Sequence, residues 1–296
     1  MYSILVNPSA GSGRAAALIS GLQEKLAARR LSWQIRETQR PGQGSEIAST
    51  LARQNPEGVI VVGGDGTISE AADGLKYTGV PLLFCSCGTG NDFIKSTPLP
   101  HDPLQALDIQ LDAARSFIDL GSMNDRCFLN VAGTGLDVEV LLCADRYKQH
   151  ASGLTPYLHG VVDAIRAYRP VTAQVSCDDE PLRETRFTIL SIGNGQYIGG
   201  GMRAVPGTSL TDGFLDVIEA RPLKKWQIGV LMALFIPGLH AKTPLVRRQR
   251  VKKLRIIRPG MVINLDGELT SCDDATFSIL PSALAVRLPA GNANER

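Results

Sequence analysis

Several signatures are missing from this chain of 296 residues, and each absence removes a class of function. No Gly-Lys dipeptide occurs, which excludes the phosphate loop of P-loop NTPases. No Gly-x-Ser-x-Gly elbow occurs, so the nucleophile turn of the α/β-hydrolases is absent. The four histidines, His101, His150, His159 and His240, are scattered without the spacing of zinc ligands. The six cysteines, Cys85, Cys87, Cys127, Cys143, Cys177 and Cys272, form no paired metal motif, because the one close pair has no second pair to match. They read as free thiols of a cytoplasmic protein. Residues 1–6 lack the basic start and long apolar stretch of a signal peptide. The apolar run 228–236 is far shorter than the ~20 residues that a spanning helix needs. It reads as a core helix, with a surface-inserting helix beside Trp226 and the lysines as the alternative. No repeat or low-complexity tract is present.

One further absence is local. Between Arg221 and Asn264 there is no acidic residue, while eleven of the 31 basic residues fall there: Arg221, Lys224, Lys225, Lys242, Arg247, Arg248, Arg250, Lys252, Lys253, Arg255 and Arg258. The remaining 20 face all 29 acidic residues, so an acidic body carries one basic segment. Such a segment suits an anionic partner, membrane headgroups or nucleic acid, or is a solvated strand face.

What the chain does have is organised around Gly63-Gly64-Asp65-Gly66-Thr67. The apolar run 59–62 before it reads as a buried parallel strand, and Ile68-Ser69-Glu70-Ala71-Ala72 after it as the start of a helix. The glycines let the backbone turn tightly, and the helix start offers free N–H groups to an anion. A carboxylate in such a turn, Asp65, points to Mg²⁺ beside phosphate, the plain alternative being a capping aspartate. Two more strand–turn–helix units flank it. One runs from 3–6 into Asn7-Pro8-Ser9-Ala10-Gly11-Ser12-Gly13, the other from 81–85 into Gly88-Thr89-Gly90-Asn91-Asp92. This alternation predicts a parallel sheet covered by helices, with ligands at the carboxyl ends of its strands.

The character changes near Gly121. A turn at Asn124-Asp125 predicts a hairpin with a strand over 127–132, followed by a helix over 156–168 and strands at 171–177, 187–192, 215–218, 261–265 and 276–280. The expected fold is α/β: an N-terminal three-layer, parallel-sheet nucleotide-binding domain over 1–122, completed by 281–296, and a mainly antiparallel, β-sandwich-like domain over 123–280.

Five motifs in order resemble the soluble diacylglycerol kinase family, which includes bacterial lipid kinases, sphingosine kinases and ceramide kinases. They are Asn7-Pro8…Gly11…Gly13, Gly63-Gly64-Asp65-Gly66-Thr67, Gly88-Thr89-Gly90-Asn91-Asp92, Asp212-Gly213 and Asp266-Gly267-Glu268. The resemblance covers nearly the whole chain, and the order is far more specific than any one motif, since a Gly-Gly-Asp-Gly turn also fits NAD kinases and phosphofructokinases. It implies an ATP- and Mg²⁺-dependent kinase acting on a lipid hydroxyl (diacylglycerol-like, phosphatidylglycerol or sphingoid), with ATP in a cleft between two domains. It implies ATP contacts at Asn7, Pro8, Ser9, Ala10, Gly11, Thr38, Gly64, Asp65, Gly66, Thr67, Ile68, Ser69, Glu70 and Thr89. It further implies a structural Mg²⁺ on Asp212 and the carbonyls of Ser209 and Phe214, a catalytic Mg²⁺ held through water by Asp65, Asp92 and Asp119, and Glu268 as general base. Ser69 stands where many members have asparagine, and Thr211 where many have a second aspartate. The chemistry agrees: phosphoryl transfer needs positioning and charge neutralisation, and an attacking hydroxyl needs a carboxylate to take its proton. The expected partner is a lipid at an anionic membrane surface, met peripherally without a spanning segment and without nucleic acid. The rival readings are an NAD kinase-like enzyme and a non-catalytic nucleotide-binding membrane sensor.

Overall fold

The computed structural model describes residues 1–146 and 155–289. His150 and the 290–296 end of the segment expected to complete the first domain lie outside the described residues. The chain opens with β1 (Tyr2–Val6), α1 (Arg14–Ala28), β2 (Trp33–Glu37), α2 (Gly44–Ala52), β3 (Gly58–Gly63), α3 (Asp65–Leu75), β4 (Leu82–Ser86), α4 (Asp92–Lys95) and α5 (Pro103–Asp112). The four strands pair in parallel in the order β2-β1-β3-β4, with Tyr2 opposite both Trp33 and Gly58 and Val59 opposite Leu82. Alternate strand residues feed two cores. Ile4, Val6, Ile60, Val62 and Cys85 pack with Leu22, Leu26 and Leu107 of α1 and α5. Leu5, Val59, Val61, Leu82 and Phe84 pack with Leu51, Ile68 and Leu75 of α2 and α3. Period-two alternation on strands that are apolar on both faces thus produces the three layers. Where α5 passes β4, Gln110 exchanges hydrogen bonds with the amide and carbonyl of Phe84 (3.0 Å each) and stands in for a neighbouring strand.

The remainder comprises β5 (Arg115–Met123), β6 (Arg126–Phe128), β7 (Val131–Gly135), α6 (Leu136–Asp145), α7 (Thr155–Ala167), β8 (Val171–Cys177), β9 (Arg183–Phe187), β10 (Ile189–Gly193), the two-residue pair β11 (Tyr197–Ile198) and β12 (Met202–Arg203), β13 (Leu215–Ala220), α8 (Lys225–Phe235), β14 (Val246–Val251), β15 (Lys253–Leu265) and β16 (Glu268–Arg287). All of these strands pair antiparallel except at one point, where Val286 of β16 lies parallel to Leu82 of β4. Through that contact the ladder runs unbroken in the order β14-β13-β10-β7-β15-β16-β4-β3-β1-β2. The final strand therefore does return the chain to the first sheet, and it is 20 residues long, bent between Leu280 and Leu284.

Two readings need correcting. The strand expected over 127–132 is split. β6 ends at Phe128 and β7 starts at Val131, because the amides of Leu129, Asn130 and Val131 all turn to the carboxylate of Asp266 (2.7, 2.9 and 3.1 Å). The basic segment is not an uncompensated patch either. Other parts of the chain supply acids that the local sequence lacks: Arg248 pairs with Asp216 of β13 (2.9 Å), Arg250 with Asp212 in the loop before it (2.6 Å) and Arg255 with Asp274 of β16 (2.6 Å). The run 228–236 falls in α8 and its C-cap Ile236, with Ile228, Leu231, Met232 and Phe235 in the core and Trp226 and Val230 exposed at 68% and 46%.

Candidate active site

The three glycine turns at the carboxyl ends of β1, β3 and β4 meet in one cleft. Asn7, Gly11, Thr38, Gly64, Thr67 and Gly88 line it, and its volume is ≈ 400 Å³. Close approach of backbones dictates the glycines. A Cβ on Gly88 would fall 2.7 Å from the Cα of Gly64, and one on Gly11, at φ +62°, would fall 1.9 Å from the carbonyl oxygen of Cys87. Arg14 staples the same turns, donating Nε to the carbonyl of Gly11 (3.0 Å) and Nη2 to that of Gly88 (2.8 Å). Asn7 donates Nδ2 to Thr67 Oγ1 (3.0 Å) and accepts from the amide and hydroxyl of Ser9. Helix α3 starts here with Gly64 as an extended N-cap that supplies no side chain, so its first amides are left to the cleft.

Asp65 is the first residue of that helix. Its Oδ1 accepts the amides of Asp92 (2.8 Å) and Phe93 (3.1 Å). Its Oδ2 accepts nothing among the described residues and converges with Asp92 Oδ2 over Gly90, where a Cβ would lie 3.1 and 3.3 Å from the two oxygens. Lys95 sits behind this pair, donating to Asp92 Oδ1 (3.1 Å) and the Gly90 carbonyl (2.7 Å). Burial pushes the Asp65 carboxyl up from its ordinary value, while the two amides and Lys95 pull it back.

Glu268 enters from the other half of the chain. It follows the turn Asp266-Gly267 with both residues at positive φ, +50° and +99°. A Cβ on Gly66 would lie 3.6 Å from its Oε1, which places a carboxylate over the start of α3. Its Oε2 is held by Arg126 Nη2 at 2.8 Å, and Arg126 also donates to Thr270 Oγ1 (2.9 Å). Asp266 anchors the turn. Besides the three amides of 129–131, it accepts the hydroxyl of Ser69 (3.1 Å), and burial raises its carboxyl to about 6. Ser69, the residue that departs from the family pattern, therefore ties α3 to the turn that carries Glu268.

A cleft at the amide-bearing start of α3, with a carboxylate over it and a second carboxylate oxygen without a partner among the described residues nearby, has groups that phosphoryl transfer can use. Comparison with known proteins agrees. Residues 1–123 match the diacylglycerol kinase catalytic domain, and residues 130–288 match the YegS C-terminal NAD kinase beta sandwich-like domain. The chain belongs to the bacterial lipid kinase family. It is 31% identical to a protein of Pseudomonas aeruginosa named probable lipid kinase YegS-like, over 98% of this chain and 94% of that one. It is 28% identical to the diacylglycerol kinase of Mycobacterium tuberculosis, over 96% and 94%. The fold matches a crystal structure of a diacylglycerol kinase from Bacillus anthracis at TM-score 0.73 and 18% identity, over 99% of this chain and 98% of that one. Membership makes the chain a kinase with a lipid acceptor.

Within this lipid kinase, the other residues singled out by the resemblance fall in different places. Ser9, Ala10, Gly66 and Glu70 also line the cleft, beside Pro8 in sequence, but Glu70 spends its carboxylate on the amides of Gly42 (3.0 Å) and Gly44 (2.7 Å). Ile68 is fully buried in the core and its amide donates to the Gly64 carbonyl (3.1 Å), so it offers a ligand no free group, and Thr89 is exposed next to Gly88. Asp119 is buried, with Oδ2 taken by the Gly213 amide and Oδ1 by that of Ser282, both at 2.7 Å. Each of its oxygens thus has a backbone partner, so it ties β5 to the Gly213 turn and to β16. Asp65 Oδ2 with Asp92 fits a hydrated cation. The set Ser209, Asp212 and Phe214 does not fit one, because the Asp212 carboxylate is already paired with Arg250. Among the described residues no three His, Cys, Asp or Glu side chains converge as direct metal ligands. Arg14, Arg126 and the anchoring role of Asp266 were not foreseen, since their partners lie 74, 142 and up to 197 residues away. Asp137 was also missed. It lines a narrow cavity of ≈ 30 Å³ with Val131, Leu141, Ile189, Met232 and Asn264.

Proposed function

We propose that this kinase transfers the γ-phosphoryl group of ATP to the hydroxyl of a diacylglycerol-like lipid, with Glu268 as general base. Phosphatidylglycerol and sphingoid lipids are the other acceptors of the same chemistry. The observation that carries the reading is Glu268 Oε1 poised over Gly66, at the amide-lined start of α3. The lipid oxygen bonds to phosphorus as the bond to the ADP oxygen breaks, and the hydroxyl proton passes to Glu268. Arg126 keeps that carboxylate aimed. The α3 amides and the turn of 7–13 hold the phosphates, and the Gly88 turn closes against them. Mg²⁺ arriving with ATP neutralises phosphate charge, and Asp65, with Asp92 beside it, would hold it through water.

The acceptor side is apolar. The small cavity that holds Asp137 also contains Asn264, whose Oδ1 accepts the Gly267 amide at 2.9 Å, so its wall is joined to the turn bearing Glu268. No helix among the described residues is long and apolar enough to cross a membrane. The outer face of α8, with Trp226 and Val230, and Ile236 beyond it supply an apolar contact beside Lys224 and Lys225. The unpaired members of the basic segment add attraction to anionic headgroups.

The test is incubation with labelled ATP and lipid extracts resolved by headgroup, beside Glu268→Gln. One lipid should acquire label, and the variant should lose about 10²–10⁴-fold in turnover with ATP affinity unchanged. Label appearing in NAD and in no lipid would replace this reading with the NAD kinase one. Nucleotide binding without transfer to any acceptor would favour a sensor.

A further inference from the structure

The loop that enters β13 is where the family resemblance would seat a structural metal, and its anionic groups are already engaged. Asp212 accepts the amide of Phe214 on Oδ1 (3.2 Å) and Arg250 Nη2 on Oδ2 (2.6 Å). Arg250 Nε lies 3.5 Å from Asp216 Oδ1, and that same oxygen meets Nε and Nη2 of Arg248 at 3.0 and 2.9 Å. Arg248 also donates to the Gly207 carbonyl (3.0 Å). The charged ends of Arg250 and Lys252 lie 5.8 and 5.7 Å from the ring centre of Phe214. Two carboxylates are therefore surrounded by three cationic side chains. Among the described residues, Asp216 Oδ2 is buried without a partner and is the one anionic oxygen of the two carboxylates left so. Thr211 brings a hydroxyl, 3.4 Å from Ser209 Oγ, where many members of the family bring a second carboxylate.

A small divalent ion is usually bound through one or two carboxylates, with carbonyls and water completing its shell. Here the Asp212 carboxylate is already paired with Arg250, and the ion would add two charges to a cluster that already carries an excess of one. We propose that Arg250 takes the place of the divalent cation at the Asp212 turn, so that this half of the protein is locked by an arginine and not by a metal. Arg250 is a positioning residue. The loop it clamps accepts the Asp119 amide on the Leu210 carbonyl (2.7 Å) and gives its Gly213 amide to the Asp119 carboxylate (2.7 Å), and that carboxylate also receives the Ser282 amide. The clamp thus joins β14 to the crossing of β5, β13 and β16. Nothing in this inference depends on which acceptor the kinase uses.

The test uses the nucleotide-free full chain, so that no metal arrives with ATP. Thermal unfolding is followed in chelator and in millimolar Mg²⁺, and Mn²⁺ binding is read by electron paramagnetic resonance. The parent should show the same Tm in both conditions and no bound Mn²⁺ that Asp212→Asn removes. Arg250→Met should lower Tm by about 2–4 °C, as expected for a loss near 1 kcal/mol in a chain of this size. Arg250→Lys should recover part of that loss without becoming metal-dependent. The double variant T211D/R250M, which removes the arginine and restores the second carboxylate, should bind Mn²⁺ and gain Tm saturably with Mg²⁺. A parent Tm that falls on chelation, or Mn²⁺ bound to the nucleotide-free parent and lost in Asp212→Asn, would overturn the proposal. So would a double variant that folds but ignores metal. Should that variant not fold, the parent's response to chelation still decides.

Discussion

Replacing Asp137 by asparagine should make this protein more stable at alkaline pH, against the usual direction for a change in a buried polar group. Asp137 is held by the amide of Val138, the side chain of Asn264 and its own amide, but burial dominates and raises its carboxyl from 3.8 to about 7. Its Oδ1 has no hydrogen-bond partner among the described residues. The unfolded chain ionises this group from pH 3.8, whereas the folded chain keeps it protonated up to about 7. Between those values the folded state binds more protons, so stability falls as pH rises. The displacement corresponds to about 4 kcal/mol once the pH is well above 7. Asparagine keeps the shape and one acceptor for Asn264 and avoids the buried charge. It gives up a charge-assisted hydrogen bond, which returns about 1–2 kcal/mol of that gain. Urea unfolding at pH 5 and pH 9 should show the two proteins close together at the lower pH and Asp137→Asn ahead by about 2–3 kcal/mol at the higher. A parent whose stability does not fall across that interval, or a variant equally weakened at both values, would refute the reasoning. A carboxylate kept at such cost beside the apolar cavity suits a polar contact for the acceptor lipid, so lipid turnover should fall as stability rises.

Three other outcomes follow from the cleft and the surface. Asp65→Asn retains an acceptor for the amides of Asp92 and Phe93 but loses the charge on the free oxygen, so transfer should drop by at least about 100-fold with an unchanged melting curve; near-normal turnover would reduce Asp65 to a cap. Gly88→Ala places a methyl group 2.7 Å from the Cα of Gly64, and calorimetry should show ATP binding weakened at least about tenfold with a stability loss of about 1–3 kcal/mol; unchanged affinity would mean that the two turns can separate freely. W226A/V230A should release the protein from anionic vesicles in co-sedimentation even at high salt, where only the apolar contact survives screening; equal binding of parent and variant would remove α8 from the membrane contact.

The layers of the first half were legible because β1, β3 and β4 are continuous apolar runs closed by glycine turns, and because their partners are other local units of the same kind. The order of turns also disclosed which residues face the cleft: Asn7, Gly64 and Thr67 all line it. What stayed hidden was pairing across long separations. Nothing near Arg250 in the sequence is acidic, yet β13 lies antiparallel to β14 with Asp216 opposite Arg250, and that register neutralises part of what reads as a bare basic segment. The break between β6 and β7 was hidden for the same reason, since Phe128 to Ala132 is apolar enough to read as one strand until Asp266 draws three of its amides aside.

The aspartates show how far residue type alone can go. Asp65, Asp92, Asp119 and Asp266 stand in similar glycine- or asparagine-rich surroundings, and any of them can be read as a ligand to a cation. Their oxygens separate them. Asp119 uses both on backbone amides, and Asp266 uses both on three amides and a hydroxyl. Asp92 divides its pair between Lys95 and the Gly200 amide. Only Asp65 of these four keeps an oxygen with no partner among the described residues, and that oxygen lies against Gly90 beside Asp92 Oδ2. Buried carboxylates are costly unless each oxygen is satisfied, so three of the four are explained by the fold they hold together. The fourth retains a cost that folding does not require, which is why Asp65 and not Asp119 is the position at which losing a single charge should stop the reaction.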